Sequence, residues 1–254
     1  MKVVSVTGIN GGVGATTVVA GLASMLSARK WQVIVLDLSP HNTLRLHFGM
    51  PWDEGNGLVP QILSGKPWHE AAYLCENGVS FLPFGKCGEQ DIATFNRQLR
   101  QEPDWLSSHL SELEDSDETI ILIDCPRTEG PLRSQAHALS DQILVVMEAG
   151  PLSYAALAAP GTIFAATDAP KATYLLNSFN PTLTLDRDIA QLLRVEQGER
   201  LCPATIHRDE FVREALASKL SLDAYAPYSQ AADDFTTLSI WLVAKFAHLE
   251  LASA

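Results

Sequence analysis

Short runs of β-branched and apolar residues recur along the chain, at Val3–Val6, Gln32–Leu36, Val79–Leu82, Thr119–Ile123, Gln142–Val146 and Ala172–Leu176. Between them the apolar positions change to helical spacing, most plainly over Thr16–Lys30, where Val19, Leu22, Ala23 and Leu26 repeat on one face. Strands covered by helices on both faces need continuous apolar runs, with no polar alternation. The pattern therefore predicts an α/β fold: a doubly wound, mostly parallel sheet flanked by helices. Arg29 and Lys30 suit the negative end of the first helix. Toward the carboxyl end, Phe235–Leu251 again repeats at helical spacing, with Lys245 as its only Lys or Arg. That predicts a packing helix without the basic face of an interfacial membrane anchor.

Composition narrows the picture. A chain of 254 residues that is 46% hydrophobic can bury one large core, and no linker interrupts it, so a single domain over residues 1–254 is expected. A net charge of −12 argues against nonspecific nucleic-acid binding and against direct binding to anionic membranes, both of which rest on clustered Lys and Arg. No basic start leads into an apolar run with a cleavage site, and no stretch is apolar for long enough to span a bilayer, so a cytoplasmic location is expected. Cys75, Cys87, Cys125 and Cys202 stand far apart, and the seven histidines form no i, i+4 pair. The cysteines read as core thiols, and neither zinc nor disulfides are implied.

The richest chemistry follows the first apolar run. Gly8-Ile-Asn-Gly-Gly-Val-Gly-Ala-Thr-Thr17 leads from a strand into a helix through a glycine turn. In such a turn the backbone N–H groups point inward and the positive end of the helix dipole faces the same spot, so the turn attracts a polyphosphate. The glycine spacing does not match the dinucleotide-binding Gly-x-Gly-x-x-Gly. A tight turn without a ligand is the plainer alternative. Two further strands end in carboxylates at the edge of the sheet where open α/β folds bind ligands, Asp37 after the second run and Asp124 after the fourth. An acid at the place of Asp124, beside a buried strand, is costly unless it has a task, and magnesium binding is one.

Asn10-Gly-Gly-Val-Gly-Ala-Thr-Thr17 resembles the deviant phosphate loop of the MinD/ParA-type ATPases, Lys-Gly-Gly-x-Gly-Lys-Thr-Thr, with both lysines replaced, by Asn10 and Ala15. The resemblance implies that residues Asn10, Gly11, Gly12, Val13, Gly14, Ala15, Thr16 and Thr17 cradle ATP. Thr16, Asp37 and Asp124 would hold Mg2+, and Thr17 would contact phosphate. Ser39 stands where the family commonly has the acid that positions the attacking water. Ser39-Pro-His-Asn42 also has turn chemistry of its own. Arg127 lies within reach of phosphate. Asn177, after the sixth run, resembles the family's adenine contact, since an amide offers both a donor and an acceptor, though Asn177-Ser-Phe-Asn180 is equally a turn signal. Ile206, His207 and Arg208 fall on the segment resembling the last core strand and base-side loop, with His207 in place of a usual proline.

The Ile-His-Arg-Asp-Glu string at 206–210, Asn42-Thr-Leu-Arg-Leu-His-Phe48, Leu82-Pro-Phe-Gly85 and the lysine-free loop together resemble the BcsQ (YhjQ) family, the MinD-like proteins of bacterial cellulose-secretion operons. That resemblance spans Lys2 to about Trp241. It implies a homodimer that binds ATP, acts in regulating or assembling cellulose synthase at the inner membrane, and has the small protein BcsR and the regulator BcsE as partners. No catalytic residue is assigned: without the loop cation, the cross-dimer cation and the water-orienting acid, the chain is expected to be at most a very slow ATPase. Arg45, Arg127 and Arg208 are the candidates to supply the missing charge. An active positioning ATPase and a nucleotide-free scaffold are the rival readings.

Overall fold

The computed structural model describes residues 1–113, 116–158 and 171–253. The first unit runs β1 (Lys2–Gly8), α1 (Ala15–Ala28) and β2 (Gln32–Asp37). Next come α2 (Leu58–Leu63), the hairpin of β3 (Tyr73–Leu74) and β4 (Ser80–Leu82), α3 (Glu89–Gln101) and α4 (Trp105–Leu110). β5 (Thr119–Asp124), α5 (Pro131–Leu139), β6 (Gln142–Met147) and α6 (Pro151–Ala158) complete the middle of the chain. The last part holds β7 (Ala172–Phe179), α7 (Thr184–Gln197), β8 (Leu201–His207), α8 (Glu210–Ala217), α9 (Leu222–Tyr225) and α10 (Gln230–Ser253).

The eight strands order as β3-β4-β2-β5-β1-β6-β7-β8. Every pairing is parallel except β3 with β4. β1 sits between β5 and β6, so the chain winds away from it in both directions and a crevice opens above its carboxyl end. Alternate residues feed opposite layers. Val4, Val6 and Leu122 pack beneath α1 and α10, whereas Val3, Ile121 and Ile123 pack beneath α3, α4 and α5. Ile143, Val145 and Leu176 meet Ile189 and Leu193 of α7. Burial on both faces is why these strands read as uninterrupted apolar runs.

Each of the six predicted runs forms a strand, as does the segment around Ile206. The two-residue β3 was not anticipated: both of its residues are exposed, so no core pattern marks it. α1 stops at Ala28, two residues before the predicted end. Lys30 takes a left-handed φ of 71°, and the amides of Lys30 and Trp31 bond to Ser27 and Leu26. These bonds close the helix in a Schellman turn, leaving Arg29 and Lys30 just past its end. α10 is the predicted packing helix, with Phe235, Leu238, Leu242 and Phe246 turned inward. Among the described residues no helix is long and apolar enough to cross a membrane. Three of the cysteines are buried and Cys87 is half-buried.

α1 and α10 approach closely because residue 21 is glycine. A Cβ there would stand 2.6–2.7 Å from the Phe235 ring. Alanine is the better helix former, yet Gly21→Ala is expected to destabilise the protein by roughly 1–3 kcal/mol through overpacking. A lower urea midpoint would record this, and a rise would show that the ring yields freely.

Candidate functional site

The loop after β1 is built from left-handed turns that glycine supplies without strain, with φ of 83° at Gly12 and 85° at Gly14. At Gly14 a side chain would also run into the amide of Asn177. α1 then begins at Ala15 with no side-chain cap and no acid in its first turn. Its leading N–H groups are therefore left for a ligand. Asn10 is held within the protein: its Nδ2 donates to Gly11 O at 3.3 Å, and its Oδ1 accepts from Ser153 Oγ at 2.9 Å. That second bond ties the loop to α6.

Beneath the loop, β2 and β5 end in register, Asp37 opposite Asp124. Both are buried, at 0% and 2% exposure. Thr16 Oγ1 donates to Asp124 Oδ2 at 2.7 Å, and the Ser39 N–H donates to Asp37 Oδ1 at 2.9 Å. Asp37 Oδ2 is buried with no hydrogen-bond partner. Burial pushes the Asp124 carboxyl up to about 7, against the pull of the Thr16 hydroxyl. Burial raises Asp37 as well, and the neighbouring Asp124 charge adds to it. A hydroxyl, two carboxylates and one unpaired oxygen make a hard-oxygen set suited to magnesium, whose charge would reverse both shifts. The residues present therefore fit that ion. Among the described residues no group of three His, Cys, Asp or Glu side chains gathers to hold a metal alone.

Two clefts share Gly12, Val13 and Gly14. The larger, about 580 Å³, is lined by Asn10, Gly11, Ala15, Thr16, Ser39, Asp124 and Arg127 as well. The smaller, about 350 Å³, adds Thr17, Asn177, Ile206, His207 and Arg208. The fold thus brings the predicted residues to one crevice, split by the loop, while Asp37 lies under its floor. Asn177 commits one N–H to the loop, Nδ2 to Val13 O at 2.7 Å, which leaves its second N–H and its carbonyl oxygen for a ligand. Arg45 is set apart: it is fully buried, lines neither cleft, and its Nη1 donates to Glu54 O at 2.6 Å.

Sequence reasoning missed the residues that hold this crevice in place. Asp234 Oδ2 accepts from His207 N at 2.7 Å and sits 2.9 Å from His207 Nδ1. Since a carboxylate can only accept, the ring nitrogen facing it is the donor. Asp209 caps α8 through the Phe211 N–H and also accepts from the Ala231 N–H of α10. An Asp preceding a helical apolar pattern is an N-cap signal, so Asp209 was legible; Asp234 and Ser153, inside helices, carried no signal.

The sequence model of one family, described as Cellulose biosynthesis protein BcsQ, matches residues 1–243. The Cellulose biosynthesis protein BcsQ of Salmonella typhi is 32% identical over 248 residues, spanning 95% of this chain and 94% of that protein. Among solved structures, cobyrinic acid a,c-diamide synthase from Mycobacterium smegmatis with bound ADP and magnesium superposes with a TM-score of 0.74 at 21% identity, over 97% of this chain and 96% of that one. The septum site-determining protein MinD from Pyrococcus horikoshii, complexed with Mg-ADP, superposes with a TM-score of 0.70 at 22% identity, over 94% of each chain. At such identities the likeness is one of fold: the MinD/ParA-type P-loop fold.

Proposed function

The chain belongs to the BcsQ family of cellulose biosynthesis proteins, and from that premise we propose that it binds magnesium-ATP between two copies of itself as a structural link in the cellulose synthase apparatus, with little or no hydrolysis. The observation that carries this reading is the buried pair Asp37 and Asp124 beside Thr16, with one carboxylate oxygen left unpaired. Such a pair raises the free energy of the empty protein, an expense a cation removes. The ADP and magnesium of the two solved relatives support the same ligand class here.

Bound magnesium supplies charge neutralisation at the phosphates. Thr16, Asp37 and Asp124 would hold it. The loop N–H groups from Gly11 to Thr17 receive the phosphates. On the other side of the loop, Asn177 and the segment Ile206–Arg208 would meet the base. What the chain lacks decides the rate. Ala15 and Asn10 remove two cations, and Ser39 removes the carboxylate that would draw a proton from water. Transition-state cations of this kind are worth about 10³–10⁵ in rate. Nucleotide then stabilises the dimer by mass action, without turnover.

In this reading one domain spans the chain, BcsR and BcsE are its partners, and the acidic protein is cytoplasmic and reaches the inner membrane through them. Nucleotide released by denaturing freshly purified protein tests it. The expected result is ATP at about one per chain, as one intact site requires. ADP would replace the static link with a working ATPase, and an empty protein that also ignores added magnesium-ATP would overturn the proposal.

A further inference from the structure

Three arginines stand close enough in sequence to the crevice to replace the absent lysines, and the structure separates them. Arg45 is enclosed, with its Nη1 on a backbone carbonyl and its guanidinium 5.9 Å from the Trp52 ring. Its charge acts inside the protein, drawing the Asp37 carboxyl down against the effect of burial. Arg208 lines the smaller cleft, on the base side of the loop. Arg127 lines the larger one, where among the described residues it is the only Lys or Arg beside Gly11, Ala15, Thr16 and Asp124.

Arg127 is also built for the task. Its side chain is exposed and makes no hydrogen bond or ion pair among the described residues, while its main chain is fixed. Arg133 of α5, only 4% exposed, donates from Nη1 to the Arg127 carbonyl at 2.8 Å. A buried guanidinium thus anchors the backbone of the β5–α5 loop and leaves a second guanidinium to enter the cleft. Arginine suits this approach, because its fork can meet two phosphate oxygens at once.

We infer that Arg127 supplies the phosphate-binding cation of this chain, delivered from the loop after β5 instead of from the glycine loop. The inference rests on the nucleotide-binding reading above.

Titrations of ATP and of AMP, each with magnesium, into wild type, Arg127→Ala and the double variant Ala15→Lys/Arg127→Ala test it. The charge acts on the outer phosphates, so Arg127→Ala is expected to weaken ATP about 10-fold and to leave AMP within about twofold, as expected for one charge-assisted contact. Adding Ala15→Lys in the same background is expected to bring ATP back to wild-type affinity or up to about 10-fold tighter. Unchanged ATP affinity in Arg127→Ala would overturn the inference. So would an equal loss of ATP and AMP, which marks a collapsed loop, or a failure of Ala15→Lys to restore binding. Wild type that binds neither nucleotide would instead overturn the nucleotide reading, and this inference with it.

Discussion

Asp124→Asn protein without nucleotide is expected to melt at a higher temperature than wild type at pH 8, and to lose magnesium-dependent ATP binding. The Asp124 carboxyl titrates at about 7 in the folded protein, against an ordinary value of 3.8. Between these values the folded chain holds a proton that the unfolded chain has released. The contribution of this group to the stability of the empty protein therefore falls as pH rises from about 4 through about 7, and is lost above that. Asparagine keeps the oxygen that accepts from Thr16 but has no charge to bury. The gain at pH 8 is expected to be roughly 1–3 kcal/mol, or about 3–8 °C, shrinking toward zero at pH 5. Binding should move the other way, with ATP affinity in magnesium falling by about 100-fold or more, since a metal carboxylate is gone. Melting curves at the two pH values and one titration check both halves. An equal loss of stability at pH 5 and pH 8 would show that Asp124 serves packing alone.

Ala15→Lys is the second large change. Ala15 opens α1 at the wall of the larger cleft and is partly exposed, so a longer side chain there has somewhere to go. A charge-assisted contact to phosphate contributes about 1.5–3 kcal/mol, so ATP affinity is expected to rise about 10- to 100-fold. Turnover should barely follow, because Ser39 still brings no carboxylate to the attacking water. Adding Ser39→Asp to Ala15→Lys is expected to raise phosphate release by about 10-fold or more over Ala15→Lys alone. Faster release in Ala15→Lys by itself would mean that the cation, and not the acid, limits the reaction. No gain in affinity would place phosphate elsewhere.

The strands were legible because burial on both faces leaves one solution, an apolar run, and the glycine loop because left-handed backbone leaves few residues to choose from. β3 was not, since two exposed residues satisfy no core. The acids Asp37 and Asp124 were found by their place at strand ends, but their facing register depends on β5 inserting beside β2, which no local pattern records. The same limit hid Asp234 beneath His207, Ser153 beside Asn10 and Arg133 behind Arg127. Each acts across the fold or along a turn on a residue that no shared pattern links to it. Arg45 illustrates the reverse: an arginine in the segment after Asp37 looked available to phosphate, and only its enclosure beside Glu54 removes it.

The strand order carries a further consequence, for how the chain comes together. β1 and β2, joined directly through α1, never touch, because β5 stands between them and pairs with both. An amino-terminal piece ending at β4 would hold the loop on a strand with no neighbour. Closing the centre of the sheet takes a segment far downstream, a long-range pairing with the entropic cost that such contacts carry. That segment ends in Asp124. The pairing that completes the sheet is therefore also the one that brings the acid to the loop.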